Sequence, residues 1–104
     1  MKFYTFNQNN SGGYFIENDH VACHLIIEAR GLWEAIDKML DITEDYSEFC
    51  PCCGPRWWGS ANEYARPMIY DTDAYKYRGG ILGDSIIIYY ADGRVEKLGY
   101  EEDE

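Results

Sequence analysis

Two runs of the chain are apolar on both parities: residues 20–29 (HVACHLIIEA) and residues 85–91 (SIIIYYA). A strand with one wet face alternates, so an unbroken apolar run predicts an interior strand covered by other elements. Residues 2–7 alternate more weakly, with Phe3 and Thr5 set against Tyr4 and Phe6, and their aromatics suit a strand. Residues 14–16 read as its returning partner across a polar tip. Between the two apolar runs the period changes. Leu32, Trp33, Ile36, Met39 and Leu40 recur at helical spacing over residues 31–42, while Glu34, Asp37, Lys38 and Asp41 take the other side. This predicts one amphipathic helix packed on the sheet, with Trp33 in the core.

Further along, Gly59, Ser60, Asn62 and Pro67 predict an irregular stretch, and residues 68–70 a short strand. Asp92-Gly93 is a direct hairpin signal, with residues 94–98 as the return strand. The expected fold is α+β: a small, mostly antiparallel sheet of four to six strands with one main helix on one face. It forms a single domain over residues 1–100, followed by an acidic tail at 101–104.

Charge narrows the partners. With 19 acidic and 9 basic residues the net charge is -10. Binding to a phosphate backbone needs a cationic surface, so direct nucleic-acid binding is not expected. Acidity does suit a basic protein partner, or imitation of nucleic-acid charge, with Asp41, Glu44, Asp45 and Glu48 as one patch. The start of the chain runs from Phe3, Tyr4 and Phe6 straight into amides and has no signal-peptide pattern. No apolar run is long enough to span a bilayer as a helix. A cytoplasmic location, reduced thiols and no membrane contact are the expectation.

Two segments carry candidate ligand chemistry. Gln8, Asn9, Asn10 and Ser11 precede Gly12 and Gly13, so amides that both donate and accept sit beside a backbone free to turn its N–H groups outward. The spacing matches neither a Walker A nor a dinucleotide fingerprint. Tyr75 and Tyr77 interleave with Lys76 and Arg78, the local cationic-aromatic mix of an acidic chain. Tyr77 and Arg78 are the residues expected to stack on a base and meet a phosphate. Asp71, Thr72 and Asp73 match the opening of a calcium loop and nothing after it.

The densest chemistry lies at residues 50–58, which hold three of the four cysteines and two of the three tryptophans. Cys50 and Cys53, with Pro51 between and Gly54 after, have the shape of a zinc-ribbon knuckle. One knuckle supplies two ligands where a structural zinc takes four, and Cys23 with His24 completes the expected set. Adjacent strand residues face opposite ways, and His20 lies roughly 13 Å from His24 along an extended strand, so that set requires a bulge or strand end near residues 20–24. A metal-free turn of thiols beneath Trp57 and Trp58 is the competing reading. Gly54-Pro55 interrupts the helix that a redox pair would need. With two histidines and scattered acids, no catalytic constellation emerges, and a non-enzymatic protein is expected.

FNQNNSGG at 6–13, the strand ending in Ile26, Ile27, Glu28 and Ala29 with its following helix, and CPCCG before Arg56-Trp57 together resemble a family of small tailed-bacteriophage proteins. The resemblance covers about the first 58 residues and brings no catalytic residues with it. It implies a nonstructural protein acting in the host bacterial cytoplasm during infection. Three functions follow as expectations. The first is an accessory protein that counters host immunity by binding and sequestering a small nucleotide-like signal. The second is an acidic protein–protein inhibitor of a host enzyme. The third is a structural or regulatory protein with a zinc-knuckle-like turn. A homodimer with a shared pocket is compatible with each.

Overall fold

The structure, a computed structural model, describes residues 1–8, 20–44, 49–50, 54–55, 57–69, 72–76 and 85–98, with the backbone alone at 49–50, 54–55 and 58–62. Its elements in chain order are β1 (Lys2–Gln8), β2 (His24–Ala29), α1 (Leu32–Ile42), β3 (Phe49–Cys50), β4 (Gly54–Pro55), β5 (Trp57–Tyr64), β6 (Met68–Ile69), β7 (Thr72–Asp73), β8 (Ile86–Tyr89) and β9 (Val95–Leu98). The main sheet has the order β5-β1-β2-β8-β9. β1 is antiparallel to both β2 and β5, β8 is antiparallel to β9, and β2–β8 is the parallel pair. The fold is α+β, with a mixed five-stranded sheet and one helix among the described residues. The expected returning strand at 14–16 and the tail at 101–104 lie outside the described residues.

Both faces of the sheet are covered, which is why the central strands are apolar on both parities. On one face Tyr4, Phe6, Leu25, Ile27, Ala29 and Ile87 pack with Ala35 and Met39 of α1. On the other, Phe3, Ile26, Ile86 and Ile88 pack with Ile69 and Ala74, contributed by the β6–β7 hairpin and the turn after it. Thr5 is buried on that face and its Oγ1 donates to the Met68 carbonyl at 2.6 Å, tying the hairpin down.

The N-cap of α1 is Gly31, which has no side chain to cap with. Glu34 instead reaches back to the Arg30 N–H at 3.2 Å, half of a capping box displaced by one residue. At the other end Thr43 is fully buried, and both its N–H and its Oγ1 return to the Met39 carbonyl. The buried line of the helix is Ala35 and Met39, with Leu32, Ile36 and Ile42 beside them. Trp33 is not in the core, contrary to the expectation from spacing: it is 80% exposed. At about 100° per residue it stands about 160° around the helix from Ala35, so including it had widened the apolar face beyond what one sheet can cover.

Two strand boundaries also differ from the pattern. β2 begins only at His24, and residues 20–23 pack irregularly with Val21, Ala22 and Cys23 buried. The stretch expected to be irregular is β5, in which residues 60–62 bulge opposite the single residue Thr5 between the pairs Tyr4↔Glu63 and Phe6↔Gly59. Glycine and serine are weak strand formers, but the unpaired edge of β1 supplies the hydrogen bonds that hold them extended.

Candidate functional site

One end of the sheet gathers the start or finish of most segments singled out in the sequence. β1 ends there at Gln8, from which residues 9–19 depart. β2 begins there at His24, and β8 is entered there through Ser85 from residues 77–84. β5 begins alongside, with Trp57 opposite Gln8, and it follows the cysteine turn. That turn is bracketed by β3 and β4, paired Phe49↔Pro55 and Cys50↔Gly54 with residues 51–53 between them.

A polar framework fixes this end. The Gln8 N–H donates to the Cys23 carbonyl at 2.9 Å, and its buried Nε2 donates to the Ala22 carbonyl at 2.9 Å. The Ser85 hydroxyl accepts from the Cys23 N–H at 3.2 Å, and its carbonyl accepts from the His24 N–H at 3.1 Å. Because residues 20–23 leave the ladder, their backbone groups need such partners, and a buried amide meets that need. Asn7 and His24 stand directly opposite on the β6–β7 side, with Asn7 Oδ1 2.7 Å from His24 Nδ1. With Asn7 Oδ1 as the acceptor, His24 donates through its Nδ1–H.

A second cluster lies toward the other end, where β8 turns into β9. The Tyr75 and Tyr90 hydroxyls lie 2.6 and 2.8 Å from Glu96 Oε1 and 3.0 Å from each other, so the three share one hydrogen-bonded cluster with the carboxylate as acceptor. Arg94 lies 4.4 Å from the Tyr90 ring centroid and pairs with Asp92 at 2.8 Å, while Phe3 meets the Tyr90 ring edge-on at 5.9 Å. The turn between the strands is the expected one, with Gly93 at φ 96° and the Gly93 N–H donating to the Tyr90 carbonyl at 3.1 Å.

A family model described as Domain of unknown function (DUF7296) matches residues 1–104, the whole chain. The chain belongs to the DUF7296 family. Comparison with curated proteins and with solved structures finds no match.

The predicted site residues of this DUF7296 chain fall into three groups. Gln8 is placed, but as a buried brace rather than a group open to a ligand. Asn9, Asn10, Ser11, Gly12, Tyr77 and Arg78 lie outside the described residues. Tyr75, two positions before Tyr77, is anchored at Glu96, so the aromatic-basic segment starts away from Gln8 and not beside it. Of the expected zinc ligands, Cys23 is buried and His24 is buried and bonded to Asn7. Cys50 is described by its backbone alone, and Cys53 lies outside. Among the described residues no group of three or more His, Cys, Asp or Glu is placed to hold a metal ion. The strand end that such a set required is nevertheless present at residues 20–24. Asp73 Oδ1 accepts the Tyr75 N–H at 2.9 Å, which gives Asp73 a turn role, while Asp71 lies outside the described residues.

The tyrosine–carboxylate cluster went unnoticed in the sequence, although parity signals half of it. Ile86, Ile88 and Tyr90 share a face, and the Asp92-Gly93 hairpin returns Glu96 to that same face. Its hydroxyls hold their protons tightly. The hydrogen bond to Glu96, then that to Tyr90, raises the Tyr75 pKa strongly. Apart from this cluster, on the helix side of the sheet, burial first and then the bond to Glu63 at 2.8 Å raises that of Tyr4. Burial first, with Glu96 adding, raises that of Tyr90. Since the folded pKa values lie above the unfolded value near 10, their stabilisation is complete below pH ~10 and is lost as pH rises further. Tm is therefore expected to fall above pH 10, with part of the tyrosinate absorbance appearing only on unfolding. Glu96→Gln should bring Tyr75 ionisation to lower pH in a spectrophotometric titration; an unchanged titration curve would contradict the cluster.

Proposed function

We propose that the chain is a non-enzymatic binding protein that captures a small nucleotide-like ligand at the Ser85 end of its sheet. In the setting implied by the phage resemblance, it acts as an accessory protein sequestering a host immune signal. The observation that supports this most is the mounting of the amide-rich segment. Its first residue, Gln8, is locked by backbone and side chain onto residues 22–23, beside Trp57, and residues 23–24 are in turn bonded to Ser85, where the chain enters β8. A recognition loop discriminates only if its base is rigid, and here the base is braced on both sides. Gln8 is the brace in this reading. Asn9, Asn10, Ser11 and Gly12 read the ligand's polar edge, and Tyr77 with Arg78 supplies a stacking face and a local cation against the acidic background.

Calorimetry of the full chain against cyclic dinucleotides, cyclic trinucleotides and ADP-ribose derivatives tests this. Saturable binding to one of them is expected, weakened tenfold or more by Asn9→Ala or Asn10→Ala at unchanged Tm. Saturable binding to none of these ligands would refute the reading.

A further inference from the structure

α1 keeps one stripe uncovered. Trp33, Asp37, Leu40 and Asp41 are exposed, and Glu44 continues the line just past the end of the helix. Their spacing of i, i+4, i+7, i+8 and i+11 puts all of them on one side. Trp33 is 80% exposed and Leu40 55%. They lie two turns apart, about 10.5 Å along the axis. Tryptophan is the side chain that gains most from burial and the one most enriched at binding hot spots. Three carboxylates surround this pair. The nearby cations sit off the stripe and are engaged with Glu34, Arg30 at 3.9 Å and Lys38 at 3.7 Å.

We propose that this stripe docks a protein partner presenting a cationic amphipathic helix. Two apolar anchors one heptad apart match the contact spacing of helix on helix. Asp37, Asp41 and Glu44 ask for Lys or Arg on the partner's flanks. A second copy of the chain would oppose the same three carboxylates to each other. A membrane-surface helix carries basic rather than acidic residues on its polar face. The site is separate from the Ser85 end of the sheet and does not depend on ligand capture there.

The probes are two synthetic helical peptides with the same leucine spacing, one with lysine and one with glutamate at the remaining positions. Each is titrated into the full chain by calorimetry and tryptophan emission. Saturable binding of the lysine peptide alone is expected, with a blue shift in emission, and at least tenfold weaker binding to Trp33→Ala. Asp37→Asn with Asp41→Asn should weaken binding and flatten its salt dependence. As these side chains are exposed, Tm should not change, and Leu40→Ala offers a second variant of the same kind. Four outcomes each overturn the proposal: no saturable binding, equal binding of the glutamate peptide, binding that survives Trp33→Ala unchanged, or a Trp33-dependent self-association or vesicle binding in place of peptide binding.

Discussion

Phe6→Ala is expected to destabilise the fold by about 3–5 kcal/mol, the range for removing a fully buried aromatic side chain. Phe6 has no exposed surface and lies in the helix-side core with Tyr4, Leu25, Ala35 and Trp57. Its strand neighbours are Leu25 on β2 and Gly59 on β5. Gly59 brings no side chain that could swing into the space left behind, so the cavity stays open on the β5 side. Against a total of about 5–15 kcal/mol for a domain, the loss is severe. Urea unfolding should show a lower midpoint at unchanged m-value. A change below about 1 kcal/mol, the typical effect of an ordinary substitution, would mean that α1 does not press on β1.

Ile26→Ala probes the opposite face and is expected to cost about 2–5 kcal/mol. Ile26 is fully buried between Thr5 and Ile88 on the neighbouring strands, beneath Ile69 and Ala74. The cover here is a hairpin of two two-residue strands. So slight a cover can settle into the gap more easily than a helix can, which favours the lower part of the range. Hydrogen exchange separates the two variants. Ile26→Ala should speed exchange most at the Ala74 amide, bonded to the Pro67 carbonyl, and Phe6→Ala most at the Thr43 amide, bonded to Met39. Equal acceleration at both amides in both variants would mean that the two covers open as one unit.

Local pattern was enough for the elements whose partners are near in sequence. The Asp92-Gly93 hairpin and α1 follow from turn chemistry and period, and the unbroken apolar runs announced a sheet covered on its faces. Pattern failed where a distant segment decides. Residues 57–64 are a strand because β1 offers an unpaired edge, and their composition argues the other way. Trp33 fits the apolar period, yet the sheet covers only the line through Ala35 and Met39. Gln8 looked like the first residue of a ligand loop because the Ala22 carbonyl it satisfies needs a partner only once residues 20–23 have left the ladder. Tyr75, Tyr90 and Glu96 come together through the packing of the β6–β7 hairpin, which no spacing in the sequence encodes.

β9 forms an outer strand of the main sheet, and its four residues constrain how two copies could join. A two-fold axis that continues a sheet across antiparallel edges keeps each face on its own side, so opposed residues must share parity. The register that looks complementary, Val95 against Leu98 and Glu96 against Lys97, mixes parities and is geometrically closed. The allowed registers with the greatest overlap centre on Glu96 or on Lys97 and set each against its own copy, acid on acid or amine on amine. The arrangement Val-Glu-Lys-Leu therefore sets β9 against pairing with its own kind.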